Sequence, residues 1–314
     1  MPDTSSPVVS ATQAVQSAIS ATPGNTITIS GIRVTDNLAI SSIYGHLWGP
    51  NGGYVDSIGL TYTYTSTNDI ILTATATIPT YTGLTNGSYK IGIYAVDASH
   101  NQSSETTVGT VSVTGFASST TGNDTLTGGS GVLMDGLAGI DTVTYTGNHG
   151  SIIHNSDGSY TVGSDKLTNI ERLQFADKKI ALDVTTEGNA GKALEFIGML
   201  AFDKVTDKAI VGEIISYFDQ MPSMHDICQL AIGGGLTKAL AGSDSNAALA
   251  QLVFRNVVGH EASAGDVDSL VSYMDGRNAS MSQADFLTAI AGLELNNQHI
   301  GLVGLQSTGV EYII

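Results

Sequence analysis

Leu84-Thr85-Asn86-Gly87-Ser88-Tyr89-Lys90-Ile91-Gly92-Ile93-Tyr94-Ala95-Val96 decides how the first third of the chain is read. Tyr89, Ile91, Ile93 and Ala95 fall on alternate positions, the period-two pattern of a strand with one buried face. Asn86-Gly87 tolerates the positive φ of a tight turn, so the stretch reads as a hairpin turn feeding a strand.

The same texture extends outward. Residues 8–115 are rich in Thr, Ser, Val, Ile and Tyr, and residues 1–115 carry only six acids and two bases. Such segments suit half-buried strands. Runs at Thr26–Ile29, Ile40–Trp48, Leu60–Thr67, Ile70–Ile78, Tyr89–Val96 and Val108–Val113, parted by short turn-rich pieces, predict an all-β sandwich over 1–115.

The character then changes. Ser119-Thr120-Thr121-Gly122-Asn123-Asp124-Thr125-Leu126-Thr127 is followed by Gly128-Gly129-Ser130-Gly131 and by Gly136-Leu137-Ala138-Gly139-Ile140-Asp141-Thr142-Val143-Thr144. A glycine-rich β region over 116–184 is expected. From about residue 187 apolar residues recur at three-and-four spacing, as in Leu194, Ile197, Leu200 and Ala201 and in Ile210, Ile214, Ile215 and Phe218. That spacing predicts a helical bundle over 185–314, with further helices at 224–232, 245–258, 264–274 and 282–295 and Ser282 as an N-cap. The expected fold is therefore multidomain.

Twelve basic against twenty-nine acidic residues give a net charge of −17 over 314 residues. Phosphate would be repelled, so nucleic acid and anionic membranes are excluded as expected partners, and divalent cations are the natural counterions. Cys228 is alone, which rules out an internal disulfide and paired-thiolate zinc. Residues 1–21 hold no basic segment followed by an apolar one, and no run of eighteen apolar residues exists. No cleaved N-terminal signal peptide and no membrane span are expected.

Several segments resemble known families. Leu84 to Ile91, with Ala95-Val96-Asp97-Ala98-Ser99-His100-Asn101, resembles the closing strands of bacterial immunoglobulin-like (Ig-like) domains, and Asp3-Thr4-Ser5, Pro7 and Val34-Thr35-Asp36-Asn37 fit the opening ones. The resemblance implies calcium at the end of the sandwich, held by Asp3, Asp36, Asp97 and the Asn101 oxygen. The glycine-rich region resembles the nonapeptides of RTX proteins, which fold as a β-roll. That likeness implies Ca2+ at Asp124 and Asp141, turns at Gly122 and Gly139, and inward packing of Leu126 and Val143. Leu133 stands where the middle unit needs an aspartate, and that unit is one residue short, so one or two ions at most are expected.

Leu167-Thr168-Asn169-Ile170-Glu171-Arg172-Leu173-Gln174-Phe175-Ala176-Asp177 resembles the segment that closes RTX regions. Leu252-Val253-Phe254-Arg255-Asn256-Val257-Val258-Gly259-His260-Glu261-Ala262 is similar to a helical domain recurrent in S-layer and RTX proteins, with His260 where that family has Arg. Glu311-Tyr312-Ile313-Ile314 is similar to the extreme C-terminus of type I secretion substrates.

Catalytic patterns are missing. His225 and Cys228 share a helical face without a third partner, Gly233-Gly234-Gly235 reads as a helix stop, and neither Gly-x-Ser-x-Gly nor a two-histidine zinc helix occurs. No catalytic residue is expected. The resemblances imply a secreted calcium-binding structural protein that assembles with itself into a filament, surface layer or matrix outside the cell. The alternative is a calcium-dependent adhesin or carbohydrate-binding surface protein that meets cell-surface glycans through Trp48, Tyr44 and Tyr54 near Gly52-Gly53, although a lone Trp48 also suits a core.

Overall fold

The structure, a computed structural model, describes residues 3–11, 16–80, 84–117, 119–129 and 131–313, apart from the side chains of residues 16–19. Ser130 of the glycine run and Ile314 of the tail lie outside the described residues. The chain divides into two compact units, one of residues 1–119, 129–135 and 164–166, the other of 120–128, 136–163 and 167–314. Residues 116–184 thus contribute to both.

The first unit is a β-sandwich. Its strands are β1 (Val8–Ala11), β2 (Gln16–Ala21), β3 (Thr26–Thr35), β4 (Ile40–Trp48), β5 (Tyr54–Ser57), β6 (Gly59–Ser66), β7 (Asp69–Thr77), β8 (Gly87–Asp97) and β9 (Thr106–Val113). One sheet has the order β1-β3-β7-β6, the other β2-β9-β8-β4-β5. Alternation puts Ile27, Ile29, Ile32 and Val34 of β3, Leu72, Ala74 and Ala76 of β7, and Tyr89, Ile91, Ile93 and Ala95 of β8 into one core. Each large apolar side chain buried there contributes about 2 kcal/mol.

Two sequence expectations are corrected. β3 continues past Ile29 to Thr35 through a bulge at Ser30-Gly31, where Gly31 takes φ +76 and the register with β7 shifts. The extra residue breaks the period-two pattern, which hid the second half of the strand. Asn86-Gly87 is not a hairpin turn, because β8 pairs with β4 and β9 while β7 lies in the other sheet. The Asn86 amide instead acts like a short strand. Its Nδ2 donates to the Phe116 carbonyl at 2.6 Å and its Oδ1 accepts from the Phe116 N–H at 2.8 Å.

Of the short strands that follow, β10 (Thr125–Thr127) belongs to the second unit and β11 (Leu133–Asp135) to the first. Leu133 bonds through its backbone to Gly115 and Ala117. β12 (Thr142–Thr144), β13 (Ile152–His154), β14 (Tyr160–Val162), β15 (Asp165–Thr168), β16 (Arg172–Gln174), β17 (Lys179–Ala181) and β18 (Val310–Tyr312) complete the set. β10, β12 and β16 pair in parallel, with Leu126, Val143 and Leu173 stacked in register and buried. β17 and β18 add antiparallel strands to that sheet, and β13 and β14 form a hairpin.

Nine helices follow among the described residues: α1 (Asn189–Ala201), α2 (Lys208–Gln220), α3 (Met224–Gly233), α4 (Leu236–Ala241), α5 (Asn246–Val258), α6 (Ala264–Val271), α7 (Gln283–Ala291), α8 (Glu294–His299) and α9 (Leu302–Leu305). α1 is buried along most of its length and packs against α2, α5, α7 and α8. Asp207, Ser223, Ser245, Ser263 and Ser282 cap helix N-termini, the last two in capping boxes with Asp266 and Asp285. Each cap contributes about 1 kcal/mol. The helix expected over 282–295 is broken at Gly292-Leu293, and the one expected over 264–274 ends at Val271. Gly235, at φ +78, stops α3 and starts α4. Among the described residues no helix is long and apolar enough to cross a membrane.

Candidate metal centre and aromatic face

Three loops of the sandwich converge on a group of carboxylates. Asp3 precedes β1, Asp36 follows β3 and Asp97 ends β8. One oxygen from each lies within 4.8 Å of the others, and among the described residues this is the one such group of His, Cys, Asp or Glu. Asp97 is fully buried at the head of a turn in which its Oδ1 accepts from the Ser99 and Asn101 backbone amides, each at 2.8 Å. His100 holds φ +68 to close that turn. Asp36 Oδ2 accepts from Leu38 N–H at 2.8 Å, and Asp3 Oδ1 accepts from Asn37 Nδ2 and Ser5 N–H, each at 3.1 Å. Asp3 Oδ2 is buried and has no hydrogen-bond partner.

Asn101 faces this group through its amide nitrogen. Nδ2 donates to Asp97 Oδ2 at 2.9 Å and to the Asp3 carbonyl at 3.2 Å, which steadies the carboxylates instead of turning the amide oxygen toward them. Burial opposes ionisation of Asp97, but hydrogen bonds from the Asn101 side chain and from the Asn101 and Ser99 amides outweigh it and hold the carboxyl below its usual range. Three carboxylates this close repel one another unless a proton or a cation stands between them. All the donors are hard oxygens, the chemistry that suits Ca2+.

Asp124 and Asp141 sit in the second unit and bond between successive turns. Asp141, fully buried, accepts the Asp124 N–H on Oδ1 at 2.8 Å, and Glu171 Oε2 accepts the Asp141 N–H at 2.8 Å. Asn123 Oδ1 takes the Ile140 N–H in the same manner at 2.9 Å. Asp124 in turn accepts from Thr120 N–H at 2.6 Å. Gly139 has φ +134, and a Cβ there would lie 2.8 Å from the Gly122 carbonyl, so the two turns stack backbone on backbone. The sequence reading missed Glu171 as the third member. Burial first, then the Asp183 and Asp141 carboxylates, pushes its carboxyl up to about 7 against the Asp141 N–H.

The outer face of the second sheet carries aromatic rings in rows. Gly45 and Leu47 of β4 face the core, so Tyr44, His46 and Trp48 face outward. The register sets Trp48 between Tyr54 and Lys90, His46 between Ser57 and Gly92, and Tyr44 beside Tyr94. The Tyr44 and Tyr94 rings stack with centroids 4.9 Å apart, and His46 meets Trp48, Tyr54 and Tyr94 at 5.8, 5.5 and 5.5 Å. Trp48 is half-buried on this face, which answers the alternative of a core role. Glu105 lies across the rows, its Oε1 accepting from Trp48 Nε1 at 2.9 Å and lying 3.2 Å from His46 Nδ1. A Cβ on Gly92 would come within 2.3 Å of that oxygen, so the glycine makes the seat for the carboxylate. A recess of about 210 Å3 lined by Tyr44, His46, Ser57, Ile58, Leu60 and Tyr62 adjoins the face.

Cys228 is buried in the helical core, and burial pushes its thiol up to about 12, the state of an inert packing residue. His225 is half-buried, beside Asp226 and Asp285.

No family model and no curated protein matches the chain. Among solved structures the chain is similar to a mutant of the SrpA adhesin from Streptococcus sanguinis, at 20% identity and a TM-score of 0.25, over 36% of this chain and 59% of that one. It is similar to the sialic-acid-binding region of a Streptococcus sanguinis adhesin at 16% identity and a TM-score of 0.24, over 35% of this chain and 30% of that one. Fibronectin(III)-like modules of CbhA from Clostridium thermocellum align at 16% identity and a TM-score of 0.23, over 34% and 46%. The chain spans less than two thirds of the length of each of these chains.

Proposed function

We propose that this chain is an extracellular or cell-surface adhesion protein that binds carbohydrate on the outer face of β5, β4 and β8. The reading is one of binding, not turnover. The observation that carries it is the row of Tyr54, Trp48, His46, Tyr44 and Tyr94 with Glu105 fixed among them. A sugar ring has an apolar face of C–H groups that packs on an aromatic plane and an edge of hydroxyls that bonds to carboxylates and hydroxyls. Both kinds of surface are present here. Tyr54 and Tyr44 are 56% and 45% exposed, so their rings are open to a ligand. The rings brace one another and Trp48 is tied to Glu105, so little freedom is lost on binding.

Calcium has a supporting part in this reading. An ion among Asp3, Asp36 and Asp97 would pin the segment before β1 to the ends of β3 and β8, neutralise three carboxylates and stabilise the folded sandwich. Low calcium inside a cell and high calcium outside would then tie folding to export.

Glycan-array binding followed by titration calorimetry tests the proposal. The wild-type chain is expected to retain a defined set of glycans, and Trp48→Ala and Tyr54→Ala each to weaken binding about fivefold, from roughly 1 kcal/mol per ring. Equal binding by Trp48→Ala, with unfolding unchanged, would refute it, as would wild-type protein that retains no glycan.

A further inference from the structure

β6 ends its sheet. It pairs with β7 on one side and, among the described residues, with no strand on the other. Its sequence, Gly59-Leu60-Thr61-Tyr62-Thr63-Tyr64-Thr65-Ser66, contains no charge and no proline, and every residue from Thr61 to Ser66 is exposed. Edges of this length are normally blunted by lysine, proline or a covering loop, because their free N–H and C=O groups pair with any strand that arrives. The one irregularity is a register shift between Tyr64 and Ser66, at the end of the strand.

Two features say what arrives. Thr61-Tyr62-Thr63-Tyr64-Thr65 reads the same in both directions, so an antiparallel copy presents the same side chains in the same order. The sheet is also electrically neutral. Its four strands carry a single base and a single acid, Arg33 and Asp69, which pair at 2.6 Å. In a chain of net charge −17, this is a surface on which two copies meet without repulsion.

We propose that two copies of this chain associate through antiparallel β6–β6 pairing about a two-fold axis at Thr63. In that register Thr63 faces itself, Tyr62 of each copy faces Tyr64 of the other, and Thr61 faces Thr65. The tyrosines sit on one face, 43% and 69% exposed in the single chain, and pairing brings four of them into a cross-strand cluster. The threonines line the opposite face. A pair formed this way joins two sandwiches into one continuous sheet and presents two aromatic faces from one particle. The inference stands independently of what those faces bind.

The register makes the test specific. Cys228 is fully buried, so a cysteine introduced on β6 is the reactive thiol of the full chain. Thr63→Cys is expected to form an intermolecular disulfide under mild oxidation, and Thr61→Cys to form little, because a two-fold axis at 63 brings only residue 63 opposite itself. Light scattering coupled to size exclusion is expected to show a concentration-dependent dimer for the wild type. Thr63→Lys, which sets like charges face to face at an exposed site, is expected to leave a monomer with unchanged circular dichroism. A wild type that stays monomeric as its concentration rises, a Thr63→Lys chain that dimerises as the wild type does, or equal cross-linking at 61 and 63 would each overturn the proposal.

Discussion

Glu195→Gln should weaken a pH dependence that the second unit owes in part to this buried carboxyl. Glu195 lies on α1, 3% exposed, with its Oε1 buried and without a hydrogen-bond partner. Burial pushes its carboxyl up to about 7 from an ordinary 4.5, with Asn297 and Lys192 opposing the rise and Glu187 adding to it. That displacement corresponds to roughly 3 kcal/mol at about 1.4 kcal/mol for each tenfold change in proton affinity. Between pH 4.5 and about 7 the unfolded chain has lost this proton while the folded chain keeps it. The contribution is therefore complete below 4.5 and is lost as the pH rises through 7. Glu171, also pushed up to about 7, adds a slope of the same sign.

Glutamine keeps the shape and cannot ionise. Urea unfolding followed by circular dichroism at pH values spanning that window is expected to show wild-type stability falling with pH, and that of the Glu195→Gln chain falling less, by about 1 to 3 kcal/mol. Above pH 7 the variant should be the more stable of the two. If both chains lose the same stability over the window, the buried carboxyl is not the source of the dependence and the reasoning fails.

Two further predictions follow from the turns and the carboxylate group. Calcium at a hundredfold excess over its dissociation constant is expected to stabilise the sandwich by about 2.7 kcal/mol, a rise in Tm of roughly 10 °C by scanning calorimetry. Asp36→Asn should abolish the rise, and an undiminished rise in that variant would move the ion elsewhere, Asp124 and Asp141 being the next residues to change. Gly139→Ala, which sets a Cβ against the Gly122 backbone at φ +134, should cost about 2 to 4 kcal/mol in urea unfolding. Wild-type stability in that chain would mean that the two turns do not stack.

What the sequence displays and what it conceals divide along a physical line. Period-two alternation is written within a few residues, so the core faces of β7 and β8 and the N-cap at Ser282 are legible. Partner choice is set by burial over long separations, and there local signals fail. Asn86-Gly87 has the composition of a hairpin turn, yet the chain crosses between sheets there, because β7 and β8 lie in the two facing sheets and bury their apolar faces in one shared core. Asp3, Asp36 and Asp97 are nominated by family likeness, since no spacing rule joins residues on three separate loops. The aromatic face shows the limit most clearly. Tyr44 and Trp48 are visible as aromatics, and the alternation of Tyr44, His46 and Trp48 with Gly45 and Leu47 could have placed them on one outward face. Glu105 lies 59 residues from His46 and 57 from Trp48, and its role depends on Gly92 leaving room above β8. Only the pairing register brings acid, ring and glycine together, and that register is fixed by the burial of Leu47, Ile91 and Ile93 on the opposite face. The hydrophobic core therefore determines the geometry of a polar surface to which it contributes no atom.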